Sequence, residues 1–233
     1  MTEKKEKKPK RGRIAILTPV TDMTPSMFTM TYMNFILANM KEWTFDLIMI
    51  NQKPLDAARN KLLELAKAKN PDYYLWIDSD SVIPTDSLQR LLSADKPIVS
   101  GLYFTRSAPF PPVIRRFNKE ADTFEFILDY PKDALVECDA AGLGFCLIKA
   151  EVINKLKTDK PFFWDKLSED LNFFKACGEA GYKCWVDTGL IVPHWGGSID
   201  EGCYEGHKAS LIENSEIKEH SVQMYKKKEE GGI

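Results

Sequence analysis

The sequence predicts an α/β protein: a half with a mostly parallel sheet, then a mixed half. Between Ile14 and Tyr103, short apolar runs alternate with segments of helical period. Strands that alternate with helices pair in parallel through right-handed crossovers. After Phe104 the alternation stops, because Pro109, Pro111 and Pro112 break the chain and shorter, more polar runs follow. A length of 233 residues suits one domain of this kind.

Each element has its own signal. Ile14 to Leu17 is a short apolar strand ending at Thr18-Pro19. Met27 to Asn39 has mixed helical periodicity, with Phe28, Tyr32, Phe35 and Ile36 on one side. Phe45 to Ile50 is a second strand, and Leu55 to Lys69 a helix with an apolar stripe of Leu55, Ala58, Leu62 and Leu65. Tyr73 to Ile77 is the third strand. Pro84-Thr85-Asp86 opens a short helix through Leu92, and Ile98 to Tyr103 is the fourth strand. Val113 to Phe117 and Thr123 to Leu128 read as a hairpin or as edge strands. Leu135 to Cys138 and Phe145 to Lys149 flank a glycine turn, and Ala150 to Leu156 is helical. Ser168 to Ala180 is a helix with Ser168 at its N-cap and Gly181 past its end. Lys183 to Asp187 returns to a strand, and Gly189 to Glu205 reads as a glycine-rich loop.

Composition excludes several classes. The chain is 44% apolar and 28% charged, with a net charge of -2, which gives no bulk attraction to nucleic acid. No apolar run reaches the roughly 18 residues of a spanning helix. Met1 to Arg13 holds seven Lys/Arg and two Glu and reads as a solvated basic tail able to touch anionic lipid. The Lys226 to Glu230 run reads as a second solvated end. Five cysteines, Cys138, Cys146, Cys177, Cys184 and Cys203, lack zinc-knuckle spacing and suggest free thiols in a reducing compartment, with a Cys177–Cys184 disulfide as the alternative. Phosphate-binding lysine loops, GxGxxG, HExxH and serine-elbow patterns are absent from the sequence.

The chemistry concentrates in a few places. Tyr73-Tyr74-Leu75-Trp76-Ile77 runs straight into Asp78-Ser79-Asp80. Two like charges beside a buried strand need a cation or hydrogen-bond donors to compensate them. The carboxyl end of such a strand is where open α/β sheets bind ligands. Mn²⁺ or Mg²⁺ on a diphosphate suits these oxygens, and a pair of solvated turn acids is the other reading. His194, between Pro193 and Trp195-Gly196-Gly197, is either a further metal ligand or a packed imidazole. His207 and His220 lie in polar surroundings and are weaker candidates. Glu169 and Asp170 open a helix, where the dipole favours acids and where a carboxylate on a rigid end can accept a proton. Arg59, beside Asn60, borders the apolar stripe and either reaches a phosphate or snorkels. Asp139 to Gly144 leaves room for an acceptor or packs as a tight turn. Trp164 offers a face for a sugar ring or fills the core.

Taken in order, the segments Thr18-Pro19, Arg59-Asn60, Tyr74 to Asp80, Ile98 to Tyr103, Ala141 to Ile148, Ser168 to Phe174, Ala180 to Lys183 and His194 resemble the nucleotide-sugar-dependent glycosyltransferases of the GT-A fold, especially the family-2-like group. The resemblance runs from about Arg13 to Gly197. It implies a three-layer sandwich with a nucleotide-binding half at 13–103 and an acceptor half at 104–197, between a tail at 1–12 and a C-terminal segment at 198–233. It implies metal at Asp78, Asp80 and His194, and donor binding by Thr18, Pro19, Arg59, Asp78, Ser79 and Asp80. Glu169 and Asp170 become the catalytic acids, with Asp170 as the base of an inverting transfer. The cofactors implied are Mn²⁺ or Mg²⁺ with a UDP- or GDP-sugar as co-substrate. The acceptor would be a glycan, a lipid-linked sugar or a small molecule, with no nucleic acid as partner. The location expected is cytoplasmic, with or without peripheral membrane contact, because the membrane helices frequent in that group have no counterpart here. One departure stands out: Asn51-Gln52-Lys53 occupies the place of the usual base-recognising acid. A sugar nucleotidyltransferase and a non-catalytic nucleotide-sugar-binding module are the competing expectations.

Overall fold

The computed structural model describes residues 11–195 together with Gly202, Tyr204, Glu205 and Lys208. The expectations for the first ten residues, for Cys203, His207, His220, Gly196-Gly197 and for the Lys226 to Glu230 run lie outside the described residues.

The first strands form where the sequence places them: β1 (Arg13–Pro19), β2 (Thr44–Ile50) and β3 (Tyr73–Ile77). They alternate with α1 (Ser26–Asn39) and α2 (Leu55–Lys67). The α3 helix (Ser87–Ser93) precedes β4 (Ile98–Leu102). A hairpin of β5 (Ile114–Asn118) and β6 (Thr123–Phe126) follows, then β7 (Leu135–Cys138), β8 (Ala140–Ala141) and β9 (Phe145–Lys149). The chain continues through α4 (Ala150–Lys155) and α5 (Glu169–Glu179) to β10 (Cys184–Ile191).

Seven strands make one sheet in the order β2-β1-β3-β9-β4-β10-β7. Strands β1, β2, β3, β4 and β10 run one way, and β9 and β7 run against them. The sheet is therefore mostly parallel in direction, but β3 and β4 are not neighbours. The β9 strand, buried from Phe145 through Ile148, is inserted between them. A strand apolar on both faces belongs in a sheet centre, which is why a late strand displaces the simple parallel run. A second sheet, β6-β5-β8, packs beside the first.

Alternation along the strands builds two apolar layers. Ile14, Ile16, Leu75, Ile77, Val99, Phe145 and Leu147 face Phe28, Tyr32 and Phe35 of α1 and Leu88 and Leu91 of α3. Ala15, Leu17, Tyr74, Trp76, Ile98, Cys146 and Ile148 face α2, α4, α5 and the small sheet. The result is a sandwich of helices, sheet and helices. Cys138, Cys146, Cys177 and Cys184 are buried in the second layer and free, so Cys177 is not bonded to Cys184.

Three expectations need correction. In α2, Leu55 and Leu65 are each 39% exposed, and the inward face is Ala58, Arg59, Leu62, Leu63 and Ala66. Strand β10 continues to Ile191 instead of stopping at Asp187, with an irregularity in its register between the two. Gly189 is thus a strand residue, placed where a side chain would collide with Asp133 and Arg90. Ser168 is extended at the head of α5, but its hydroxyl turns to the Asp170 carboxylate instead of capping the backbone. At the other end the expected stop holds. Gly181 has φ +88, its N–H donates to Gly178 O at 3.0 Å, and Tyr182 N–H donates to Cys177 O at 3.0 Å. That is the Schellman pattern of paired bonds, which needs a glycine-like left-handed residue.

Candidate active site

The carboxyl ends of β1, β2 and β3 open onto one cleft of about 470 Å³. Pro19 to Thr21 line one wall, Asn51 to Lys53 a second, and Asp78, Ser79 and Asp80 the floor, with Arg59 and Arg106 reaching in. Thr18 does not line the cleft. It is fully buried beneath the strand end, beside Tyr32, whose phenol burial pushes up to about 12. Asn51 donates to Asp22 Oδ1 at 2.5 Å, which ties the second wall to the first.

The floor is fixed by its neighbours. Asp78 N–H donates to Gly144 O at 2.9 Å, and Ser81 Oγ donates to the same oxygen at 3.1 Å. Below them the Tyr103 hydroxyl accepts the Gly144 N–H at 2.9 Å. A Cβ on Gly142 would stand 1.3 Å from that hydroxyl, so only glycine fits there. The Gly142-Leu143-Gly144 segment is thus a packed support under the acids, with no room there for an acceptor.

Arg59 is the centre of the site. It is 4% exposed. Its Nη2 donates to Asp78 Oδ1 at 3.1 Å and its Nε to Glu169 Oε1 at 3.3 Å, while the guanidinium lies 5.4 Å from the Trp76 ring centroid. It does not snorkel. Burial opposes its charge, but Asp78, Glu169 and Asp170 outweigh that and raise its pKa. Asn60, the next residue, clamps a loop: its Nδ2 donates to Phe162 O at 2.6 Å, and its Oδ1 accepts from Phe162 N–H at 3.2 Å. Asn172 holds the same loop from α5 through Phe163 O and Asp165 Oδ1, each at 2.9 Å. Between those clamps Trp164 stands 45% exposed.

Glu169 and Asp170 differ in freedom. The Glu169 carboxylate is 5% exposed and held by Arg59. Burial, reinforced by Asp170, pushes its carboxyl up to about 6 against the pull of Arg59. Asp170 is half-buried, and its Oδ1 accepts from the Ser168 hydroxyl and from Leu171 N–H, the latter at 2.8 Å.

His194 arrives from the far end of the chain. Ser81 and His194 form an antiparallel bridge, Val82 N–H donates to Pro193 O at 2.8 Å, and Trp195 N–H donates to Asp80 O at 2.6 Å. The imidazole lies 5.1 Å from the Tyr103 ring. Burial, with Arg106 beside it, lowers its pKa against the influence of Asp78, which keeps it neutral.

The chemistry of a metal can be tested on these atoms. Asp80 Oδ1 and His194 Nδ1 are buried and have no hydrogen-bond partner among the described residues, a costly state unless something binds them. Four carboxylates, Asp78, Asp80, Glu169 and Asp170, face two guanidinium groups. Against this, no three His, Cys, Asp or Glu side chains among the described residues lie together as a ready cage, and Arg106 pairs with Asp80 Oδ2. The two unpartnered atoms, with Asp78 beside them, are donors of the kind a cation held by few protein ligands and completed by a bound anion would use, the usual manner for Mg²⁺ on phosphates.

Two participants escaped the sequence reading. Arg106 sits in the proline-broken segment after β4, where nothing in spacing marks it. Tyr103 closes an apolar strand and looks like core; the paired glycines at 142 and 144 are the only trace of its phenol.

The architecture is GT-A-like. No protein-family model matches the chain, and no curated protein matches it. Among solved structures it is similar to A197 from STIV, with a TM-score of 0.56 and 17% identity over 80% of this chain and 87% of that one. It is also similar to GalNAc-T7, solved with UDP, GalNAc and Mn²⁺, with a TM-score of 0.53 and 11% identity over 78% of this chain and 43% of that one. At these identities the likeness is one of fold.

Proposed function

We propose that the protein is a metal-dependent glycosyltransferase that moves a sugar from a nucleotide-diphosphate sugar to an acceptor hydroxyl. The observation that carries this reading is the Arg59 hub, which joins Asp78 at the sheet's carboxyl edge to the Glu169-Asp170 helix end. A donor-side acid and an acceptor-side acid are thereby held on one guanidinium at the edge of a cleft of about 470 Å³. The solved complex of GalNAc-T7 with UDP and Mn²⁺ supports the same class of ligand for the same fold.

In this reading Asp80 and His194 hold Mn²⁺ or Mg²⁺, with Asp78 presenting its second oxygen. The ion would neutralise charge on the departing diphosphate. Arg59, fixed by two carboxylates, holds Asp78 in place. Arg106, more than half exposed on its loop, exchanges Asp80 for a phosphate oxygen when the donor enters. Pro19, Ser79 and the Asn51-Gln52-Lys53 wall border the nucleoside, and Thr18 shapes that wall from beneath. Asp170 is the base that takes the acceptor hydroxyl's proton, because Glu169 is already committed to Arg59. Direct displacement then inverts the anomeric carbon. Trp164, clamped on both sides, offers its face to an acceptor sugar.

A second reading has its own support. The Asp80–Arg106 pair and the lack of a ready three-ligand cage among the described residues favour a metal-free nucleotide-sugar-binding module, with the arginines meeting the diphosphate. Calorimetry with UDP-, GDP- and dTDP-sugars, with and without Mn²⁺, separates the two. The transferase reading expects Mn²⁺-dependent binding and slow donor hydrolysis, with an inverted product by anomeric-proton NMR. Tight binding indifferent to Mn²⁺, without hydrolysis, would favour the module. No binding of any donor would remove both.

A further inference from the structure

Asp80 is held twice. Its carbonyl accepts Trp195 N–H at 2.6 Å, and its Oδ2 pairs with Arg106. Trp195 follows β10, and Arg106 stands in the loop that follows β4. The same two stretches of chain meet again where the rings of Tyr204 and Phe104 stack, 5.4 Å apart with 27° between their planes. Tyr204 is fully buried and shares an apolar layer with Phe104.

The seat of Tyr204 is closely built. Its hydroxyl donates to Leu128 O, and its ring also stacks on Tyr130 at 6.1 Å. Lys208 Nζ lies 5.8 Å from the ring centroid and 3.6 Å from Asp129, and Glu205 lies 3.5 Å from Lys132. Tyr204 is therefore a wedge between residues 128–132 and the root of the Arg106 loop.

That root is narrow. Phe104 and Pro112 form an antiparallel bridge, Thr105 N–H donates to Pro111 O at 3.0 Å, and Val113 N–H donates to Tyr103 O at 2.9 Å. Beyond it Arg106, Ser107 and Ala108 are exposed. Phe110 N–H and the Thr105 hydroxyl both donate within the loop to Ser107 O, at 2.9 and 3.3 Å. Bonds of that kind shape the loop without tying it to the sandwich, whereas Phe104, 1% exposed, anchors its near end in the core. An exposed arginine is held only weakly by its ion pair, so its place on Asp80 depends on the chain behind it.

We infer that Tyr204 is a positioning residue for Arg106: by wedging Phe104 it fixes the loop root and keeps the guanidinium on Asp80. The pair then acts as an autoinhibitory contact, occupying a carboxylate that the glycosyltransferase reading gives to a cation. Only this consequence rests on that reading; the positioning does not.

Two readouts on Tyr204→Ala test it. Hydrogen–deuterium exchange of the Thr105, Phe110 and Val113 amides should quicken about tenfold or more, while β3 and α2 keep wild-type protection. Mn²⁺ affinity without nucleotide should rise by up to about fivefold, and the rise should vanish in an Arg106→Ala background, because both changes free the same carboxylate. A tyrosine that merely fills the core would not raise the affinity. Tyr204→Leu, which fills the layer without a flat ring, serves if alanine prevents folding. Unchanged exchange of the three amides in a folded variant would overturn the inference, as would an Mn²⁺ affinity that stays at the wild-type value or a rise that persists without Arg106. Faster exchange confined to the loop, with no Mn²⁺ binding by any form of the protein, would uphold the positioning and remove the metal from the site.

Discussion

Asp78 and Asp80 stand two residues apart and each meets an arginine, yet the two pairs belong to different regions. Arg59 comes from the inward face of α2 and is 5% exposed along its side chain; Arg106 comes from the loop after β4 and is 62% exposed. Removing a buried arginine strands the acids around it, whereas an exposed arginine itself returns to water at little cost, even from an acid such as Asp80 that is 17% exposed along its side chain. The α2 region is thus a fixed strut of the site, and the loop arginine is an exchangeable plug on the carboxylate that the proposed cation would share. One turn of chain holds both a structural acid and a ligand-ready acid.

The contrast is open to breakage, beginning with the strut. Arg59→Ala leaves Asp78 and Glu169 uncompensated and should lose about 3–5 kcal/mol of stability in urea denaturation. A loss below about 1 kcal/mol would show that the hub does not brace the fold. Asp80→Ala should change stability by less than about 1 kcal/mol while weakening Mn²⁺-dependent donor binding at least about tenfold by calorimetry. Retention of full binding would remove Asp80 from the metal.

Glu169 sharpens the comparison through pH. Its folded pKa is raised to about 6 from 4.5, so the folded state binds more protons than the unfolded state between those values. Its contribution is therefore most favourable below 4.5 and is lost as pH rises through about 6. Glu169→Gln should flatten this fall, which amounts to about 2 kcal/mol at most; denaturation midpoints at pH 4.5 and 7 read the difference. The smallest effect belongs to the plug. Arg106→Ala should leave the melting temperature nearly unchanged and tighten Mn²⁺ binding in the absence of nucleotide by up to about fivefold. Weaker Mn²⁺ binding would mean that Arg106 orders Asp80 instead of blocking it.

Local chemistry explains what the sequence made legible. Strands β3, β7 and β9 fall on the predicted residues because apolar runs with turn residues on either side have one natural assignment. Asp78 and Asp80 were readable because acids after a buried strand demand an explanation. Arg59 was visible but ambiguous, since a charge bordering an apolar stripe snorkels in one tertiary setting and is enclosed in another; only the approach of Glu169, 110 positions later, decides it. The β9 insertion depends on long-range pairing, which no window of sequence contains. Arg106 belongs to a loop whose course is set by prolines and by the strand beside it.

That insertion also bears on how the polypeptide can be divided. The sequence marks residues 13–103 as an expected nucleotide-binding half, yet the ladder between β3 and β4 is filled by Phe145–Lys149, with Tyr74 against Ile148 and Ile98 against Ile148 from the other side. A fragment ending at residue 103 would expose two facing strand edges with nothing to join them, an invitation to aggregate. Mixing it with a fragment beginning at 104 should restore a soluble complex. The boundary expected between the halves is thus no seam in the folding unit, and the chain must be synthesised past β9 before β3 and β4 gain their shared neighbour.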